Sequence, residues 1–505
     1  MCWSAGKFPY TTEFRSLKLT SYSRQAASLT TTLPRMDAGI PGMNEILGGG
    51  FVEGASYIVQ GHPGAGKTIF ANQMAFAAVA SGRKVLYVTL LAETHDRLFQ
   101  SLGTVDFFDR SRLGNGIAYV SVFQTLRDEG LSAVVSLLRQ ETKRQGASLL
   151  VFDGLLNARD RADTDIDVKT FVAEVQSQAA FVGCTVLFLT SARLADDSPE
   201  HTMVDGVIEL QDELVGVRSV RRCRVRKSRG SAALGGFHQY EITPSGITVY
   251  PRLEAFLATP SIQDRIPEAR VPSGVDGLDE LLNGGLPSGS VTLLFGPSGS
   301  GKTSLGLDFL SVSTATEPGM HFGFYETPER LLVKADALGV PLREAQAKGS
   351  VHLFWHPLTE NLVDKLAYDL LEKVRQLGIK RLFIDALAGF ERAAVYTPRL
   401  VEFFAALTNE LRAMGVTTIA TWEMKDFASP NVTAPGSEIS SILDNLVMLR
   451  QVELESEFKR VIAVLKVRDG HLEPRLYELA FGNRGLKIAL PLKSVAGATT
   501  GIATS

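Results

Sequence analysis

Two stretches of this chain have the residue types and spacing to hold a row of phosphates. Gly61-His62-Pro63-Gly64-Ala65-Gly66-Lys67-Thr68 and Gly296-Pro297-Ser298-Gly299-Ser300-Gly301-Lys302-Thr303 both read GxxxxGK[ST]. The glycines let consecutive backbone N–H groups turn inward around phosphate oxygens, and a helix that follows presents its positive end to them. The lysine reaches the β- and γ-phosphates, and the threonine hydroxyl takes Mg2+. A single match can arise in any glycine-rich turn. Two matches, each after a short apolar run (56–60 and 291–295) and each before a helix-like segment, point to two sites for ATP with Mg2+.

Behind each loop the chain supplies acids where phosphoryl transfer needs them. Residues 148–153 run Ser-Leu-Leu-Val-Phe-Asp and residues 381–385 run Arg-Leu-Phe-Ile-Asp, at nearly the same distance from Lys67 and Lys302. A buried strand ending in aspartate sets Asp153 and Asp385 at the carboxyl edge of a parallel sheet. There, with Thr68 and Thr303, they would hold Mg2+. Glu93 and Glu326 end earlier apolar runs. A carboxylate at that place accepts a proton from, or orients, the nucleophile attacking the γ-phosphate; the plainer role is an acid at a helix start.

A third repeated pair is Lys227 with Arg229 and Lys466 with Arg468. Strand alternation sets each pair on one face. Two cations near a subunit boundary would reach a neighbour's γ-phosphate; the plainer reading is a strand edge blunted with charge. Residues 218–229 (RSVRRCRVRKSR) are the most basic run, yet residues 458–468 in the second half are far less basic. That favours an exposed hairpin or subunit contact over a nucleic-acid groove.

The elements that must position these residues repeat as well. From Arg35, RMDAGIPGMNEILGGGFVEGASYIVQGHPGAGKT aligns without a gap to RVPSGVDGLDELLNGGLPSGSVTLLFGPSGSGKT from Arg270. Self-similarity of domain size means a duplicated domain rather than a solenoid. In each half a helix follows the loop (69–81; 304–312), then a strand (85–91; 321–325), an amphipathic helix, the strand ending in Asp, a further strand (185–190; 417–421) and a β-rich tail. Alternating βα units predict α/β halves, each a mostly parallel twisted sheet flanked by helices with added antiparallel strands. The expected divisions are a flexible tail at 1–34, a first domain at 35–253, a linker at 254–269, a second domain at 270–490 and a short tail at 491–505.

Of 505 residues, 45% are apolar and 21% charged, with a net charge of -3, which gives no global pull towards nucleic acid or anionic membrane. Cys2, Cys184 and Cys223 are odd in number and lack CxxC spacing, which argues against a disulfide framework or a cysteine zinc site. No apolar run is of membrane-spanning length and the N-terminus lacks a signal core, so a soluble cytoplasmic protein is expected.

With these residues in view, the chain resembles the double-domain KaiC family of RecA-like circadian-clock ATPases and autokinases. The resemblance rests on the lead-in G-x-x-G-hydrophobic pattern at 39–50 and 274–285, the ET segment after the second strand and the K-x-R pair near each domain's end, and it covers about residues 35–490. It implies a hexamer of stacked rings with ATP between neighbouring subunits, an ATPase first ring and an autokinase second ring. It also implies phosphoacceptors at Ser440 and Ser441, and KaiB-like or response-regulator and histidine-kinase partners. The family commonly shows two consecutive glutamates where this chain has Ala92-Glu93 and Tyr325-Glu326, which leaves Glu93 and Glu326 as the catalytic candidates. Other readings are a RecA-class DNA-dependent ATPase and a ring scaffold assembled by ATP with little turnover.

Overall fold

The computed structural model describes residues 33–90, 95–155, 165–191, 199–261, 269–359, 361–424, 437–454, 457–468, 475–482 and 485–491. The chain divides into two units between Ala255 and Phe256.

In the first unit β1 (Arg35–Met36) pairs antiparallel with β2 (Phe51–Val52), closing the glycine-rich lead-in into a small flap. The main sheet is built from β3 (Ser56–Gln60), β4 (Val85–Thr89), β5 (Ile117–Ser121), β6 (Leu149–Asp153), β7 (Thr185–Thr190), β8 (Gly206–Val215), β9 (Arg218–Ser228), β10 (His238–Thr243) and β11 (Gly246–Tyr250). Its order is β11-β10-β9-β8-β3-β7-β6-β4-β5. The strands from β8 to β5 pair parallel, while β8-β9, β9-β10 and β10-β11 are antiparallel.

The parallel strands are apolar on both faces because helices cover both. Tyr57 and Val59 of β3 enter one core with Phe70 and Met74, and Ile58 enters the other with Phe152 and Val186. The same alternation splits Val85 and Tyr87 from Leu86 and Val88 in β4.

The second unit repeats this plan. β12 (Arg270–Val271) pairs with β13 (Leu286–Pro287) as the flap. The sheet comprises β14 (Val291–Gly296), β15 (Gly319–Gly323), β16 (Val351–Trp355), β17 (Arg381–Asp385), β18 (Thr417–Glu423), β19 (Asn445–Leu454), β20 (Glu457–Val467), β21 (Tyr477–Gly482) and β22 (Gly485–Pro491). Its order, β16-β15-β17-β18-β14-β19-β20-β21-β22, matches the first sheet strand for strand. The expected mostly parallel sheets with antiparallel extensions are what each unit has. Within the expected linker, Phe256 and Ser261 pack in the second unit: Phe256 meets the Tyr368 ring edge-on at 6.3 Å, and Ser261 donates its backbone N–H to Glu410 at 2.8 Å.

Several boundaries differ from expectation: β4 ends at Thr89 rather than 91, and β18 runs on to Glu423 rather than ending at 421. The loop helices begin at the lysines (Lys67–Ala80 and Lys302–Ser311), because Gly66 and Gly301 take left-handed backbone and start the helical turn at once. β15 spans 319–323 instead of 321–325, since the chain turns away from the sheet after Phe324, whose N–H still reaches Asp385 O at 3.0 Å. Among the described residues no helix is long and apolar enough to cross a membrane.

Candidate nucleotide sites

Each phosphate loop leaves the central strand of its sheet and is boxed in by backbone. A Cβ at Gly61 would come within 2.3 Å of Leu210 O, and one at Gly296 within 1.9 Å of Leu449 O, so only glycine fits at the first loop position. Gly64 has φ +87 with nothing within 4 Å of where a side chain would begin: the loop's outer face stays clear for a ligand to meet backbone N–H groups. The remaining loop residues, His62, Pro63, Ala65 and Gly66 in the first unit and Pro297, Ser298, Gly299, Ser300 and Gly301 in the second, complete the turn. The Ser300 hydroxyl is buried in that turn with no hydrogen-bond partner among the described residues.

The lysines point into the loop. Lys67 Nζ donates to Gly61 O at 2.9 Å and His62 O at 3.0 Å, and Lys302 Nζ to Gly296 O at 2.8 Å and Pro297 O at 2.6 Å. Burial pulls both ammonium groups below the usual lysine range; Asp153 opposes this at Lys67, and Glu423 and Asp385 at Lys302.

Sheet order brings the aspartates to the same place, since β6 and β17 are each separated from the loop strand by one strand. Thr68 Oγ1 lies 3.4 Å from Asp153 Oδ2, and Thr303 Oγ1 donates to Asp385 Oδ2 at 2.9 Å. Burial raises Asp153, although Tyr87, donating its hydroxyl at 3.2 Å, and Lys67 work against it. In the second unit Thr421 donates to Asp385 Oδ1 at 2.7 Å, and His321 occupies the place of Tyr87, buried. A hydroxyl beside one carboxylate fits Mg2+, which takes one or two protein oxygens and completes its shell with phosphates and water. Among the described residues no cluster of three or more His, Cys, Asp or Glu could hold a metal by itself.

The other candidates are placed less simply. Glu93 lies outside the described residues. Glu326 stands before the helix Pro328–Ala337, its carboxylate bridged by Lys334 of that helix. Lys227 Nζ donates to the carbonyls of His201 (2.9 Å), Thr202 (3.3 Å) and Val204 (2.6 Å) at the end of the helix Pro199–Met203. Lys466 Nζ does the same to Ser440 O (3.2 Å) and Leu443 O (2.7 Å) at the end of Ser437–Ile442. Within the chain these lysines cap the carbonyl ends of those two helices.

Arg229 lies 3.7 Å from Asp205, and Arg468 donates to Asp444 at 2.7 Å; both arginines are largely exposed. Ser440 is half-buried and Ser441 exposed, one turn before β19.

The sequence shows Asp205 and Asp444 ahead of apolar runs but assigns them no role; in the structure they staple the start of the loop strand. Asp205 accepts from the Ser56 N–H at 3.0 Å, and Asp444 from the Val291 N–H and Arg412 at 2.8 Å each. Burial pushes Asp444 up, but bonds from Arg412, the Val291 N–H and Arg468 outweigh it and hold the carboxyl below its usual range. Their repeated place ahead of apolar runs was the available signal.

The basic run folds as β9 and is met by acids of β8. Arg221 pairs with Asp212 at 3.1 Å, Arg222 with Glu213, and Arg224 with Glu209 at 2.8 Å. The guanidinium groups of Arg222 and Arg224 each lie 4.7 Å from the Phe237 ring centre. Cys184 and Cys223 are buried free thiols, each pushed up to about 12 by burial.

The KaiC ATPase family model matches this chain twice, over residues 36–254 and 271–493. The chain is 24% identical over 498 residues to the circadian clock protein KaiC3 of Synechocystis sp., covering 94% of this chain and 95% of that one. It is 26% identical over 470 residues to the circadian clock oscillator protein KaiC of Picosynechococcus sp. (89% and 88% covered), and 24% over 474 residues to that of Synechococcus elongatus (90% and 88%).

Proposed function

The chain belongs to the KaiC ATPase family, and on that footing we propose that both halves hydrolyse Mg-ATP and that the second also phosphorylates serine on the same protein. The observation that carries this reading is the duplicated set of loop lysine, threonine hydroxyl and strand-end aspartate. On ATP binding Lys67 and Lys302 exchange loop carbonyls for the β- and γ-phosphates. Thr68 with Asp153, and Thr303 with Asp385, hold Mg2+, whose chemistry is to neutralise the charge on the phosphate oxygens.

In the first half we assign Glu93 the task of orienting the attacking water. In the second, Glu326 is already bridged by Lys334, and we assign it the task of holding the head of its helix. Ser441, exposed on a helix that runs into the strand beside β14, is the favoured phosphoacceptor, with Ser440 next to it.

The assembly we propose is a hexameric double ring with ATP between neighbours. Arg229 and Arg468 reach the adjoining site, while Lys227 and Lys466 stay as caps that fix their strands. The printed names of the relatives make a timing phosphoswitch the reading for its output, through KaiB-like or response-regulator and histidine-kinase partners in the cytoplasm. The pairing of the β9 arginines with acids removes the main feature that favoured a nucleic-acid motor.

The test is mass spectrometry of purified protein after incubation with Mg-ATP, beside a Lys302→Ala control. Phosphate on Ser441 or Ser440 that is absent from the control is expected. ATP consumption without phosphoserine would refute the autokinase and leave an ATPase whose output is conformational.

A further inference from the structure

The second half, read as a phosphoryl-transfer site, needs a carboxylate near the γ-phosphate. Tyr325 stands where the family commonly has the first glutamate, and Glu326 carries Lys334. Another acid meets the requirement by its place in the sheet. Glu423 is the last residue of β18, the strand between β14, which carries the loop, and β17, which carries Asp385. In the parallel register it sits opposite Gly296, the first residue of the phosphate loop. The next residue locks this register, Met424 N–H donating to Gly296 O at 3.1 Å. Residues at the carboxyl ends of such strands face the crevice where ligands bind.

The side chain is exposed, and among the described residues no hydrogen bond or ion pair engages its carboxylate. Two groups sense its charge. It is the foremost charge acting to raise Lys302 against burial, ahead of Asp385, and it acts on the Tyr325 phenol as well. At the matching place the first half has a serine: Gln60 pairs with Thr190, so Ser191 is the residue beside Gly61.

We propose that Glu423 is the general base of the second site, a role that rests on the reading of that site as a phosphoryl-transfer centre. The nucleophile's oxygen, from serine or water, forms a bond to the γ-phosphorus. The bond from that phosphorus to the bridging oxygen breaks, with its electron pair leaving on ADP. The nucleophile's proton passes to a Glu423 carboxylate oxygen. The first half carries Ser191 at the matching position, so the role belongs to this position of the second half.

The experiment compares the full-length wild type, Lys302→Ala and Glu423→Gln in ADP release, in the pH profile of that release and in binding of a fluorescent ATP analogue. Glu423→Gln is expected to lower the Lys302-dependent rate by at least about tenfold, at the cautious end of what a positioned base supplies. Its analogue affinity should be equal or tighter, because a negative charge near the phosphates is removed, and the acid limb of its pH profile should vanish. An unchanged Lys302-dependent rate overturns the proposal, and so does a parallel loss of analogue binding, which would mark Glu423 as structural. Wild-type ATP consumption by Lys302→Ala would instead sink the reading of the second site as a transfer centre, and the role of Glu423 with it.

Discussion

The joint between the second phosphate-loop helix and the last hairpin carries a carboxyl group where the first half carries an amide. Asp308, 2% exposed on the helix Lys302–Ser311, accepts the Leu486 N–H at 2.8 Å. Gln73, at the same step of the first helix, accepts from Ile247 N–H at 2.7 Å and also donates to Ile247 O at 3.0 Å and Gly39 O at 3.2 Å. The amide satisfies both neighbours without ionising. Burial, with Asp276 adding to it, raises Asp308 from 3.8 to about 7.

A carboxyl whose folded pKa lies above its unfolded one is bound to its proton more tightly in the folded state. Its contribution is therefore full below about pH 4, falls as pH rises, and is lost once pH passes about 7. A shift of about three units corresponds to about 4 kcal/mol, of which about 2.5 kcal/mol is lost between pH 5 and pH 8. Asp308→Asn removes the titration while keeping an acceptor for Leu486. The variant should therefore gain on wild type by about 2.5 kcal/mol between those two pH values. Urea unfolding of the full chain, followed by tryptophan fluorescence, reads this directly, because Trp355 and Trp422 are in the second half. A gap between variant and wild type that is the same at both pH values would refute the reasoning, since Asp308 would then not titrate in this window.

Two further outcomes follow from the geometry. Lys466→Met should lower second-unit stability by about 1–2 kcal/mol through loss of charge-assisted bonds to Ser440 O and Leu443 O. Arg468→Ala should cost less in the same urea titration, and the reverse order would remove the capping role. Because the β9 arginines are matched by Asp212, Glu213 and Glu209, single- or double-stranded DNA should neither stimulate ATP hydrolysis nor bind with steep salt dependence. A steep salt slope abolished by Arg222→Ala and Arg224→Ala would contradict this.

Phosphate loops, strand-end aspartates and the duplicated plan were legible in the amino-acid order because each is a local device. Gly61 to Thr68 must be contiguous to wrap a phosphate, and four apolar residues before Asp153, or three before Asp385, are one buried strand. Partnerships across the sheet were not legible. Whether Lys466 is a catalytic finger or a helix cap depends on where residues 440–443 come to rest, and β19 and β20 decide that by pairing antiparallel. The basic look of residues 218–228 is offset in part by a neighbouring strand whose register no spacing reveals.

Glu423 shows the same division. In the chain it is one acid after an apolar run; in the sheet it lies opposite the first glycine of a loop more than a hundred residues away. Sequence determined which chemistry the chain carries, because phosphate binding is written in adjacent residues. Tertiary structure decided which charges remain available for it, because a side chain's freedom is set by the distant groups that the sheet brings beside it.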